Sequence, residues 1–342
     1  MLPFALIYGG LILLRNFFYD KGWLRSFEFD FPIILVGNIS SGGTGKTPHV
    51  EYLIRLLRQN FKVATLSRGY KRQMPGYGLA TELSLVEDIG DESKLYKQKY
   101  TDVEVAVNEN RVQGVYYLLN DEPDVRVILM DDGFQHRRIK PGLNIILTAY
   151  HDLYIDDNLL PAGNLREPAV GIKRAHIIIV TKCPSEMNEI DRGKIINKIK
   201  LKKSQNLFFS TLKYGNLYPL FPEQAIINLV GNHEVLLVTG IAENKTLHKY
   251  LQPLFPDIVK MSFRDHHYFT EKDLINMSKL LKSDTIIITT EKDAMRLMEK
   301  KEIILDQKLS IFVLPVEVQL LHDDERFSAL VFDYINQYEI TK

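Results

Sequence analysis

Ser41-Gly42-Gly43-Thr44-Gly45-Lys46-Thr47-Pro48 follows the apolar run Phe31-Pro32-Ile33-Ile34-Leu35-Val36 and precedes Val50, Leu53, Ile54 and Leu57 at helical spacing. That order predicts a strand, a glycine-rich loop and a helix, which is the context of a phosphate-binding loop. Glycines without a Cβ let successive backbone N–H groups turn toward phosphate oxygens, Lys46 reaches the terminal phosphates, and the Thr47 hydroxyl suits Mg²⁺. Pro48 falls in the first helical turn, where a missing N–H costs little. The pattern GxxxxGK[ST] would place glycine at position 40, where this chain has Ser40. The loop alone therefore leaves open a glycine-rich turn capping an ordinary βα unit.

The chain has 342 residues, 45% hydrophobic and 25% charged, which allows two cores and predicts two domains. Lys+Arg and Asp+Glu are balanced at 43 each, so no global attraction to nucleic acid is expected. Cys183 is the only cysteine, which excludes an internal disulfide framework and a cysteine-built zinc site and fits a reducing compartment. Leu2–Leu14 is almost wholly apolar and is followed by Arg15, Phe17, Phe18, Tyr19, Lys21 and Trp23. This run falls short of the roughly 20 residues a spanning helix needs, and it lacks the basic start of a signal peptide. It reads either as an interfacial anchor, with aromatic and basic residues at the headgroups, or as a helix docked on the protein's own core.

Val63–Ser67, Val125–Met130, Asn144–Thr148 and His176–Val180 are short β-rich apolar runs, as expected of buried parallel strands, and helical spacing returns over Asn108–Leu119. Lys213–Pro222, with glycine, proline and tyrosine, marks a domain boundary. Beyond it, strands are expected at Val235–Thr239, Ile258–Met261, Thr285–Thr290 and Ile311–Val316, with helices near Asn244–Leu251, Glu271–Leu281 and Ala294–Lys301. The expected fold is α/β: a membrane-associating helix over 1–24, a P-loop NTPase-like parallel-sheet domain over 25–213 and a smaller α/β domain over 214–342.

Ile128-Leu129-Met130-Asp131-Asp132 is an apolar strand ending in two acids, where a phosphate-loop enzyme holds a carboxylate toward Mg²⁺. Adjacent strand residues point in opposite directions, so one acid faces the metal and the other orients a neighbour, in either assignment. Gly90-Asp91-Glu92 reads singly as a helix start, Gln135-His136-Arg137-Arg138 as a solvated basic stretch and Arg166-Glu167-Pro168 as the end of a loop. Arg264-Asp265-His266-His267 is weak as a metal motif.

Taken together and in order, Ser-Gly-Gly-Thr-Gly-Lys-Thr-Pro, Leu66-Ser67-Arg68-Gly69-Tyr70, Gly90-Asp91-Glu92, Asp131-Asp132-Gly133-Phe134-Gln135-His136, Leu165-Arg166-Glu167-Pro168, Asp265-His266 and Thr290-Glu291-Lys292-Asp293-Ala294 resemble the tetraacyldisaccharide 4′-kinase family, the lipid A 4′-kinases. That family also lacks the first glycine of the loop. The resemblance implies transfer of the γ-phosphoryl group of ATP, with Mg²⁺, to the 4′-hydroxyl of a tetraacylated disaccharide 1-phosphate. The acceptor is a membrane lipid, so the interfacial reading of the amino terminus gains weight. The implied location is the cytoplasmic face of the bacterial inner membrane, peripheral or monotopic, with no obligatory protein partner. By the same resemblance, Asp91 accepts the hydroxyl proton while His266 orients it and raises its basicity. Lys46 and Arg166 stabilise the transferring phosphoryl group. Thr47, Asp131 and Glu167 hold Mg²⁺ or anchor its ligands, while Asp132, Gln135 and His136 belong to the site without assigned roles. Asp91 and His266 fall on opposite sides of the expected boundary, so they can pair only where the lobes meet. The alternative is a nucleotide-driven regulatory or metallocentre-assembly NTPase with a similar GGxGKT loop. Against it stand the missing basic residue upstream of the glycines, the apolar amino terminus and the DDGFQH block.

Overall fold

A computed structural model describes residues 1–224, 233–241, 245–282 and 285–338. After α1 (Leu2–Asp20) the chain runs through β1 (Ile33–Asn38), α2 (Lys46–Leu57), β2 (Val63–Ser67), β3 (Gly78–Leu79), α3 (Val86–Ile89), α4 (Asp91–Lys99), β4 (Glu104–Val107), α5 (Arg111–Asp121), β5 (Val127–Asp131), β6 (Leu143–Ala149), β7 (Ile177–Thr181), α6 (Glu189–Ile199) and β8 (Asn206–Tyr214). It continues through β9 (Tyr218–Pro219), β10 (Glu234–Thr239), α7 (Lys245–Leu251), β11 (Ile258–Ser262), α8 (Glu271–Leu280), β12 (Thr285–Thr290), α9 (Glu291–Met298), α10 (Lys301–Asp306), β13 (Ile311–Leu314), β14 (Val316–Leu320) and α11 (Asp324–Asn336). Asn244, at the start of an expected helix, lies outside the described residues.

Nine strands form one sheet in the order β14-β8-β7-β6-β1-β5-β2-β4-β3. Its edge pairs, β14 with β8 and β3 with β4, are antiparallel, and the remaining pairs are parallel. Every residue of β1, β2, β5 and β7 is buried, which explains their unbroken apolar runs. Alternate residues of β1 enter opposite layers: Ile34 and Val36 pack with Leu53 and Leu57 of α2, Ile33 and Leu35 with Val115 and Leu118 of α5. A second sheet has the order β11-β10-β12-β13-β9.

Ile311–Val316, expected as one strand, is two. Pro315 has no N–H to give a ladder, and the chain changes sheets there: β13 pairs with β12, and β14 pairs with β8 of the large sheet. The unit expected over 214–342 therefore stops short of its end. α11 also returns, burying Phe327, Val331 and Ile335 in the large sheet's core. Periodicity shows that a helix has an apolar face but not which core that face joins. Gly215 N donates to Pro315 O at 3.0 Å, so the two connections between the lobes run side by side.

α1 extends past Leu14 to Asp20 and is long and apolar enough to cross a bilayer by length and composition, unlike the shorter run read from the sequence. One face is docked: the Tyr8 hydroxyl donates to Arg166 O at 2.7 Å, the Arg15 guanidinium to Gln135 O, and Ala5 and Gly9 are buried. The rest exposes Leu2, Phe4, Leu6, Ile7, Leu11, Leu14 and Phe17.

Candidate active site

The loop between β1 and α2 is fixed by its glycines and by bonds to neighbouring segments. Gly42 and Gly45 have φ of +114° and +86°, conformations that a side chain would strain. Ser41 N and Oγ both donate to Asn164 O, at 2.7 and 3.1 Å, and Asn38 Nδ2 donates to Thr44 Oγ1 at 2.8 Å. Lys46 opens α2, placing its ammonium 3.4 Å from Asn38 Oδ1 and 3.6 Å from Asp132 Oδ2. The Thr47 hydroxyl lies 3.4 Å from Glu92 Oε1.

The adjacent acids at the end of β5 have opposite environments. Asp131 is buried; Tyr96 donates to its Oδ2 at 2.8 Å, while Oδ1 has no partner. Burial, with the nearby charges of Glu92 and Asp132, pushes its carboxyl up to about 7. Burial also acts on Asp132, but Lys46 and Arg166 outweigh it and hold that carboxyl below its ordinary range. Arg166 contacts both Asp132 oxygens, at 3.1 and 3.3 Å, and also Asn38 Oδ1.

Both oxygens of Glu167 are engaged, one by Gln135 Nε2 at 3.0 Å and the other by Arg174. Gln135 Nε2 also donates to Asn38 O at 2.9 Å, so this pair braces the end of β1. His136 faces the same space, and burial with Arg111, Arg68 and Arg15 pushes its imidazole down to about 4.

Asp91 begins α4 in the large lobe, and His266, at φ +58°, lies in the loop after β11 in the small one. The structure brings them together: His266 Nδ1 is 2.9 and 3.0 Å from the two Asp91 oxygens. A carboxylate can only accept, so Nδ1 carries the hydrogen, which leaves Nε2 as the ring nitrogen able to take up a proton. Lys292 Nζ lies 3.3 Å from Nε2 and 3.0 Å from Glu92 Oε1. Arg296, 2% exposed, bridges Asp91 and Asp293 from behind. Burial pushes the Asp91 carboxyl up, but the His266 hydrogen bond, Lys292 and Arg296 outweigh it and hold it below the ordinary range. The expected rise in Asp91 basicity is thus reversed, because a hydrogen bond donated to a carboxylate favours its charged form.

These groups meet in one cleft of about 740 Å³ between the lobes and α1. Ser41 through Thr47, Asp131, Asp132, Gln135, His136, Arg166, Glu167 and His266 line it, and Asp91 sits behind His266. Sequence reading gave no role to Asn38, Tyr96, Arg111, Lys292 or Arg296. Lys292 carried a signal in the Thr290–Ala294 block; the others reach the site through pairings that no local pattern reveals.

The sequence family described as tetraacyldisaccharide-1-P 4′-kinase matches residues 1–336. The tetraacyldisaccharide 4′-kinase of Bacteroides thetaiotaomicron is 44% identical over 98% of this chain and 92% of its own length. That of Flavobacterium johnsoniae is 42% identical over 98% and 97%. A crystal structure of LpxK from Aquifex aeolicus in complex with ATP superposes with a TM-score of 0.75 at 31% identity, covering 98% of both chains. No such support attaches to the regulatory or metallocentre-assembly NTPase alternative. With a family match over nearly its whole length and relatives matched end to end, the chain belongs to the tetraacyldisaccharide 1-phosphate 4′-kinase family.

Proposed function

We propose that the cleft between the lobes is where this chain carries out its family's reaction, with the Asp91–His266 pair receiving the acceptor's proton. The enzyme is a lipid A 4′-kinase: it transfers the γ-phosphoryl group of ATP to the 4′-hydroxyl of tetraacyldisaccharide 1-phosphate. The observation that carries the site reading is that the phosphate loop and His266, paired with Asp91, line one cleft.

Phosphoryl transfer leaves the protein mainly positioning and charge stabilisation to do. The α2 amino terminus and loop N–H groups cradle the phosphates. Lys46 and Arg166, held side by side by Asp132, stabilise charge on the transferring oxygens. The proton goes to His266 Nε2, on the ring that lines the cleft, once the Lys292 ammonium 3.3 Å from it has shifted toward Glu92, while Asp91 orients the ring and balances the imidazolium charge. This exchanges the roles implied by the family resemblance. Both Asp91 oxygens are already held by His266 and Arg296, and Asp91 does not line the cleft.

The donor set fits a divalent cation. Asp131 presents an unpartnered buried oxygen in a cluster of carboxylates, and the Thr47 hydroxyl lies on the Glu92 side of that cluster. Thr47 and Asp131 would hold Mg²⁺, and it would neutralise charge on the β- and γ-phosphate oxygens. Glu167, committed to Arg174 and Gln135, acts as an anchor.

The exposed apolar side of α1, with Lys21, Trp23 and Arg25 just past its end, rests in the cytoplasmic surface of the inner membrane while its docked side forms part of the cleft. The acceptor then reaches the phosphate loop without leaving the lipid surface. Transfer of radiolabelled phosphate from ATP to the lipid disaccharide 1-phosphate tests the reading. Labelled product is expected from the wild type; its absence in protein that binds ATP would refute it.

A further inference from the structure

His49, the fourth residue of α2, takes no part in the chemistry above. It is 2% exposed, with Nδ1 2.7 Å from Gly45 O and Nε2 3.0 Å from Ser210 Oγ. A carbonyl oxygen accepts, so Nδ1 carries the hydrogen. With the Nδ1 hydrogen committed to Gly45 O, Nε2 accepts from the Ser210 hydroxyl. Ser210 is itself fixed in β8: it is fully buried, and its carbonyl accepts from Cys183 N at 2.9 Å.

The preceding peptide is treated the same way, since Thr181 Oγ1 donates to Thr44 O at 2.9 Å. Two consecutive loop carbonyls are thereby fastened toward the body of the protein. In a trans peptide the N–H points opposite to the carbonyl, so these bonds present the N–H groups of Gly45 and Lys46 to the mouth of the loop. His49 N also donates to Gly45 O, at 3.3 Å, so an apolar side chain at His49 would leave the Gly45 carbonyl to that longer bond alone. We propose that His49, braced by Ser210, is a positioning residue that sets the Gly45–Lys46 peptide for the phosphates of the nucleotide. The proposal rests on the loop's being the nucleotide site. It also ties that loop to β8, the strand that supplies Leu212 and Tyr214 to the cleft wall.

The test measures the Kd of ATP by calorimetry and the KM of both substrates for the full-length protein in detergent, with His49→Leu, His49→Asn and Ser210→Ala. Losing both bonds in His49→Leu should raise the Kd and KM for ATP roughly tenfold, the effect of one to two net hydrogen bonds, with the lipid KM unchanged. The Asn amide can still donate to Gly45 O, so His49→Asn should return to within about threefold of wild type, and Ser210→Ala should lie between the two. The proposal is overturned if His49→Leu lowers only the melting temperature while its ATP Kd stays within about twofold, or if His49→Asn binds no better than His49→Leu. Should His49→Leu fail to fold, Ser210→Ala, which removes a single hydroxyl, decides alone: an unchanged Kd overturns the proposal. A wild type that binds no ATP would instead refute the nucleotide site itself.

Discussion

Replacing Asp131 by Asn should make the nucleotide- and metal-free protein more stable, and increasingly so as pH rises. The unfolded chain ionises this carboxyl near its ordinary 3.8, whereas in the folded state burial, Glu92 and Asp132 push it up to about 7. Between those values the folded state binds the extra proton, so stability falls as pH rises and levels off above about 7. At ~1.36 kcal/mol per pH unit, the ionised carboxylate costs on the order of 4 kcal/mol at pH 8. Asn has nearly the same shape, keeps an oxygen for Tyr96 and carries no charge. The gain should be near zero at pH 4, grow through pH 5 and 6, and reach its plateau above pH 7. In a lobe of this size it corresponds to a rise in melting temperature of roughly 8 °C or more. Thermal unfolding of both proteins at pH 4 to 8 measures it, and repeating the scans with Mg²⁺ and ATP completes the test. The ligands should stabilise the wild type more than the variant, and phosphoryl transfer should be largely lost. A variant equally stable or less stable at pH 8, or a gain independent of pH, would refute the claim that this site stores uncompensated negative charge for a cation to neutralise.

Other perturbations separate the remaining roles. His266→Ala should lower kcat by about 10² to 10⁴-fold with little change in the ATP Kd, as expected for loss of a general base; a kcat within a few-fold of wild type would remove His266 from the reaction. Asp91→Asn should lower kcat too, and if it retains full turnover the orienting role fails. Arg296→Met should destabilise the fold by about 3–5 kcal/mol, because Asp91 and Asp293 are left buried without their shared cation; denaturant unfolding with a change below about 1 kcal/mol would contradict this. Leu6→Glu combined with Leu11→Glu should reduce sedimentation with anionic vesicles while leaving ATP binding intact, and unchanged sedimentation would count against α1 as the membrane contact.

Much of the large lobe was legible because buried parallel strands leave short apolar runs. Val63–Ser67 matches β2 end to end, and β1, β5, β6 and β7 lie within a residue or two of their expected places. β4 and β8 left no comparable signal, since β4 is only four residues long and Ser210 and Thr211 interrupt the apolar character of β8. Ile311–Val316 was misread because an apolar run looks continuous through Pro315 even where the chain leaves one sheet for another. The phosphate loop was legible for the opposite reason: its function needs glycines, Lys46 and Thr47 within one contiguous segment. Tyr96 and Arg296 were not, since neither residue type carries a local mark of the carboxylate it holds.

The sequence by itself determined the α/β class, the phosphate loop with its two acids at the end of β5, the apolar amino terminus and the family. Each is written locally, in spacing and residue type. Tertiary structure alone decided that Asp91 and His266, 175 positions apart, share a hydrogen bond. It also decided that β14 and α11 return to the large sheet, and that Asp131 and Asp132 carry opposite pKa displacements. A carboxylate's strength depends on burial and on charges brought from other segments, and its sequence neighbours do not fix either.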